Sequence, residues 1–329
     1  MSTGARLPVV LLWHMHQPQY RDAVTGEYTL PWTYLHAIKD YTDMAAHLEA
    51  NAAARAVVNF SPLLIEQLSE LAQAIAAHLA HGMPLPDPLL ALLSDAAVPR
   101  DPQQRLGLLR ACLRAHRVHM IERFAPYLEL ATLAETLGTA ERINYASDQF
   151  MRDIAVWYHL AWLGETVRRT HPLVSRLSDR GRAFTAADAR ELLELIGALV
   201  AQVVPRYRTL AETGQCELSV TPYGHPIIPL LLDFRCARDA LPLMVLPEHP
   251  AYPGGEQRAR WHIEEAVRTF TAAFGAAPAG CWPAEGAVSE GTLRLLSAAG
   301  GFRWAASSAS VLRGSLLQGA PQLAEDPQV

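Results

Sequence analysis

The chain has 329 residues, half of them hydrophobic, with 28 Lys and Arg against 33 Asp and Glu and a net charge of −5. That balance gives no basic footprint for nucleic acid, and no stretch approaches the ~18 consecutive apolar residues of a membrane helix. The length allows one large α/β domain or two ordinary ones, and the four cysteines form no Cys-x-x-Cys pair, so the reading is free thiols in a soluble cytoplasmic protein.

In chain order, Leu7 to Trp13 is an apolar run broken at His14, with no Ala-x-Ala cleavage site, and reads as a first strand. A loop rich in His, Gln, Pro and Tyr follows, then a helix over Tyr34 to Glu49. Ala56 to Phe60 is short and β-branched, a second strand, and Ser61-Pro62 opens a helix with Pro at its first position. From about Leu85 to Leu210 the pattern is almost wholly helical, which predicts an insertion, and its last helix starts at the capping box Thr185-Ala186-Ala187-Asp188 and stops before Gly214. Within it, Asp148, Gln149 and Asp153 either favour a helix N-terminus or touch substrate. Strands resume at Cys216 to Val220, Ala279 to Trp282 and Phe302 to Ala306, with helices Glu256 to Phe274 and Glu290 to Ala299 between them, ended by Gly275 and Gly300. Such alternation predicts a parallel sheet with helices packed outside it.

Every polar or aromatic cluster falls just after a strand, where the strand-to-helix loops of a parallel α/β barrel gather catalytic groups. His14 and His16 lie two apart on extended chain and so point the same way. Two imidazoles so spaced either hydrogen-bond a ligand or share a metal ion, the latter needing a third ligand such as Asp22 or His225. Cys281-Trp282-Pro283-Ala284-Glu285-Gly286 places a carboxylate beside an indole, the pairing a sugar-cleaving site needs to meet positive charge at the anomeric carbon and to seat the ring. Trp13, Trp32, Trp157 and Trp162 sit in apolar periodic segments and read as core; Trp282, at a strand end, reads as a sugar platform.

Together His16-Gln17-Pro18, Gly214 to Glu217, and Trp282 to Gly286 resemble the first three motifs of glycoside hydrolase family 57. Flanking text extends the resemblance from about residue 8 to about residue 313, through Pro31-Trp32-x-x-Leu35-His36, Trp157 to Glu165, and His225-Pro226 to Leu231, all similar to its α-amylase/α-mannosidase-like branch. The resemblance implies an incomplete (β/α)7 TIM-like parallel barrel over residues 1–329, with the helical insertion at about 85–211. It implies a retaining hydrolase or transglycosylase acting on α-linked glucans, with no metal or organic cofactor. Glu285 matches the nucleophile, while His14, His16, Gln17, Glu217, Tyr223, His225 and Trp282 would bind substrate. For Glu217 the alternative is a cap or ion pair beneath the rim. The rival metal reading of the histidines would make the chain similar to metal-dependent polysaccharide deacetylases.

The family's acid/base is an Asp in a fourth motif, expected after the strand Phe302 to Ala306. Residues 307–329 carry only Glu325 and Asp326, in a Pro-flanked polar context, and Ser307-Ser308-Ala309-Ser310 stands where relatives have an acidic stretch. The expectation is a chain cut short within the barrel, C-terminal strands missing, with little glycosidase activity of its own. The alternative is a non-catalytic glucan-binding or inactive paralogue.

Overall fold

The computed structural model describes residues 9–94, 98–249 and 251–319. Leu7, Pro8, Glu325 and Asp326 lie outside the described residues. The described residues divide into two compact units, the first built from residues 9–18, Ala53–Glu66 and the described residues from Arg208 onward, the second from those of Gln19–Ala52 and Gln67–Tyr207. The insertion expected at about 85–211 falls mostly in the second unit, which also takes in 19–52 and 67–84.

The first unit carries a parallel sheet of five strands paired in sequence order: β1 (Leu12–Met15), β2 (Ala56–Phe60), β3 (Cys216–Val220), β4 (Gly280–Cys281) and β5 (Trp304–Ala305). β2 and β3 have the bounds read from their β-branched runs. β4 and β5 are shorter than expected, because Pro283 cannot extend a strand and Gly300 and Gly301 bend the chain before β5 with φ of 79° and 85°. Ladder bonds still flank them, from Trp282 N–H to the Val220 carbonyl (2.9 Å) and from Arg303 N–H to the Ala279 carbonyl (2.8 Å).

Register sorts the two faces of the sheet, since side chains alternate along each strand. The row Met15, Phe60, Val220, Cys281 and Ala305 faces one way, and its first four members are at most 1% exposed. Against this apolar side pack the helices Ile228–Leu232, Gly255–Phe274 and Glu290–Ala299, with Ile228, Ile263, Leu295 and Leu296 clustered around Cys281 and Phe274 in ring contact with Phe60. The adjacent row, His14, Asn59, Ser219, Gly280 and Trp304, faces the other way, polar at its first three positions and ending in a glycine beside an indole. The sheet thus has an apolar side that anchors it and a second side whose buried polar groups, Asn59 and Ser219, are hydrogen-bonded to each other, with His14 bonded to Asn59.

The second unit is helical. The helix from Trp32 to Glu49 widens to π geometry over Ala37–Tyr41, which frees carbonyls, and Ile38 accepts from Gly164 N–H (2.9 Å). Asp43 accepts the N–H groups of Glu165 (2.6 Å) and Thr166 (3.0 Å), so a residue distant in sequence caps the helix Glu165–Thr170. The helix Asp148–Trp162 is buried along most of its length. Asp153 accepts the N–H groups of Ala183 and Phe184 (both 2.9 Å), and Asp148 pairs with Arg105 at 2.8 Å. Both carboxylates hold the fold. The capping box at Thr185 and Asp188 forms as read, with Asp188 N–H donating to Thr185 Oγ1 at 3.1 Å and Thr185 N–H to Asp188 Oδ2 at 2.8 Å. Trp157 and Trp162 are buried, as expected of core residues.

Glu165 is one of the unit's pH-sensitive groups. Hydrogen bonds from Arg123 (3.0 Å to each oxygen) and from Arg168 lower its pKa from 4.5 to about 2. A depressed carboxylate contributes stability above its unfolded value and loses it as pH falls through the folded one. The melting temperature of Glu165→Gln is therefore expected below that of the parent at pH 7, the gap closing as pH falls from about 4.5 towards 2. Thermal melts across that range check it; a gap independent of pH would count against the ion cluster.

No helix of the described residues is long and apolar enough to cross a membrane. Of the free cysteines, Cys112, Cys216 and Cys281 are buried and Cys236 is intermediate.

Candidate active site

Parallel strands end together, so the loops after β1, β3 and β4 meet at one edge of the sheet. His14 lies in β1 and His16 just past its end. Their rings stack with centroids 5.6 Å apart and an interplanar angle of 6°. His225 reaches them from the loop after β3, 4.2 Å from the His16 ring and 5.6 Å from the His14 ring. Its backbone is left-handed, φ 55°, and follows Gly224 at φ 71°, a turn closed by His225 N–H donating to the Pro222 carbonyl at 2.9 Å. Trp282 completes the group, its indole 4.9 Å from the His14 ring at 26°.

Asn59 holds His14 in place. Fully buried in β2, it donates through Nδ2 to Ser219 Oγ (3.1 Å), which leaves Oδ1 as the acceptor for His14 Nδ1–H at 2.7 Å. The neutral ring then presents its Nε2 lone pair. Sequence reasoning missed this residue, though a lone Asn near the end of the apolar run Ala-Val-Val-Asn-Phe was a usable signal.

Glu285 stands in a turn just beyond β4, exposed, with φ 55° and ψ 19°. A non-glycine residue there costs about 1–2 kcal/mol and persists only where its surroundings impose it. Gly286 N–H donates to the Pro283 carbonyl (2.8 Å), Ala287 N–H to the Ala284 carbonyl (3.0 Å), and Ser307 Oγ to the Gly286 carbonyl (2.8 Å). The carboxylate is presented by a pinned backbone.

The imidazoles are biased towards their neutral forms. Desolvation lowers His16 to about 4, helped by His225 and His14, while the Glu285 charge opposes it. His14 is exposed by area, yet the groups crowding its ring desolvate it and lower its pKa against the raising effects of Asn59 and Glu285. His225 is lowered by desolvation and by His14.

Two expected substrate contacts stand apart from this cluster. Glu217 lies one layer back in β3, accepting from Trp304 Nε1 (2.7 Å) and Arg303 (3.1 Å). It borders a recess of 660 Å³ at the opposite strand ends, lined also by Leu11, Arg55, Val57, Phe274 and Arg303. The imidazoles, Trp282 and Glu285 lie at the other strand ends. The geometry fits the ion-pair alternative for Glu217. Tyr223 donates its hydroxyl to Glu66 at 2.8 Å, and burial together with that bond raises its pKa to about 12. Gln17 is buried beside His16 in sequence. Asp22, offered earlier as a metal ligand, instead accepts through Oδ1 from Val24 (2.8 Å) and Thr25 (2.7 Å).

A model of glycosyl hydrolase family 57 matches residues 10–310. Among solved structures, the chain is similar to the α-amylase AmyC from Thermotoga maritima, with 13% identity, a TM-score of 0.42, and 90% of this chain and 39% of that one covered. It is also similar to a family 57 branching enzyme from Thermococcus kodakaraensis, with 14% identity, TM-score 0.41 and the same coverages of 90% and 39%. A third likeness is to a branching enzyme of this type from Pyrococcus horikoshii, with 14% identity, TM-score 0.35 and coverages of 84% and 34%. The chain spans about two fifths or less of the length of these proteins. A search of curated proteins found no match.

Proposed function

The chain belongs to glycosyl hydrolase family 57, and from that premise we propose that it acts on α-linked glucans as a retaining glycoside hydrolase or transglycosylase. Glu285 is the nucleophile. The observation carrying this reading is an exposed carboxylate on pinned left-handed backbone at a strand end, beside stacked imidazoles and an indole. In the first step a Glu285 oxygen bonds to the anomeric carbon as the glycosidic bond breaks and a second carboxyl, the acid/base, gives its proton to the leaving oxygen. Water or another sugar hydroxyl then displaces Glu285, losing its proton to that same carboxylate and regenerating the original configuration. The neutral imidazoles hydrogen-bond sugar hydroxyls, and Trp282 offers the ring an apolar surface on the side not taken by His14. The parallel sheet is proposed as part of a (β/α)7 barrel. Free thiols at Cys112, Cys216, Cys236 and Cys281 fit a reducing, cytoplasmic setting.

Among the described residues no Asp or Glu follows β5, and dependence of rate on the leaving group gives this reading a sharp test. General acid catalysis contributes on the order of 10²–10⁴-fold when the leaving group needs a proton, and nothing when it is fluoride. The chain is expected to consume α-glucosyl fluoride while turning over maltooligosaccharides at least ~10²-fold more slowly. Comparable rates on both would show a competent acid in the chain. Sugar binding with turnover of neither would move the assignment to a glucan-binding module.

A further inference from the structure

We propose that His14, His16 and His225 form a binding site for a divalent transition-metal ion of the zinc class, three imidazole ligands with a coordination position left open. This goes beyond the glycosidase reading and holds whether or not Glu285 is a nucleophile. One ring nitrogen from each histidine lies within 4.8 Å of the other two. Tetrahedral zinc, with Zn–N of ~2.0–2.1 Å, wants nitrogens ~3.3 Å apart, so closure needs at most ~1.5 Å of side-chain movement per pair. Two of the three ligands sit on loops, where that movement is cheapest.

Two further observations point to a ligand. His16 Nδ1 and His225 Nε2 are buried and have no hydrogen-bond partner among the described residues. Each orphaned nitrogen is desolvated without a partner, a penalty that ligation to an ion removes. Secondly, Asn59 fixes the His14 tautomer by accepting from Nδ1, the arrangement by which metal-bound histidines are oriented from behind. The donor set also selects the ion. Three neutral nitrogens suit zinc, cobalt, nickel or copper, whereas magnesium and calcium require oxygen. The Glu285 carboxylate, whose charge reaches both His14 and His16, offsets the cation. Three protein ligands and an open position leave room for water or a sugar hydroxyl on the ion.

Titrating the whole chain with Co²⁺ and following its visible d–d absorption tests this directly. The expected result is one equivalent bound, with the intense bands of low coordination number, displaced by Zn²⁺. His16→Gln and His225→Gln should each weaken binding by about 100-fold or more, and Asn59→Leu by about 10–100-fold through release of the His14 ring. His81→Gln, an exposed histidine elsewhere, should leave the affinity unchanged. Thermal melts of each variant separate lost ligation from lost fold. A weak octahedral spectrum, no saturation, or an affinity unmoved by both His16→Gln and His225→Gln overturns the site. An affinity unmoved by His14→Gln overturns the three-ligand site, and one unmoved by Asn59→Leu overturns the positioning role of Asn59.

Discussion

Glu285→Gln is expected to reduce consumption of α-glucosyl fluoride by on the order of 10⁴-fold or more, the scale seen when a covalent nucleophile is removed. The amide is nearly isosteric and keeps the turn set by Pro283, Gly286 and Ser307, so the loss would not come from a collapsed loop. Glu285→Asp should fall between the two, because withdrawing the carboxylate by about 1 Å costs on the order of 10²-fold. Glu285→Ala with added azide distinguishes a nucleophile from a merely structural carboxylate. The small anion enters from the face that Glu285 occupied and should give a glycosyl azide of inverted anomeric configuration. Retained configuration in that product, or near-parental rates in Glu285→Gln, would falsify the role.

Gly280→Ala is expected to destabilise the first unit by about 2–5 kcal/mol, although it adds only one methyl group. Gly280 sits in β4 beside Trp304 of β5, and an added Cβ would overlap the indole ring. That indole passes over the glycine to donate to Glu217 at 2.7 Å. Displacing it both strains the sheet and strips a carboxylate of a partner. Urea denaturation measures the loss, and Gly280→Ala combined with Trp304→Leu should recover part of it by removing the overlap. Purely additive losses in the double variant would mean the two residues do not meet in solution.

These two sites differ in how far the sequence foretold them. Glu285 was legible because its surroundings are local: an apolar strand, a Trp-Pro stop and a Gly. The Gly280–Trp304–Glu217 arrangement was not, since it joins residues on three strands brought into register by pairing. Glu217 shows the limit clearly. Its place in a motif beside a strand left substrate contact and rim support both open, and register put it one layer back from His14, facing Trp304. Tyr223 and His225 are two residues apart in the same loop, yet one hydroxyl is bound to Glu66 and the other ring meets His14 and His16. The left-handed backbone at Gly224 and His225 sends them different ways, and nothing in the side-chain types announces it.

By itself the sequence determined the local elements and the family. Ala56–Phe60, Cys216–Val220, Glu290–Ala299 and the Thr185–Asp188 box were readable because strand propensity, helix periodicity and capping act over a few residues. Only the tertiary structure decided which polar groups share an edge of the sheet. His14 meets Asn59 across 45 residues and Asn59 meets Ser219 across 160, distances bridged by strand register alone. Register is a cooperative outcome of burying Met15, Phe60, Val220 and Cys281 on the opposite face, so the polar site is placed by the apolar packing behind it.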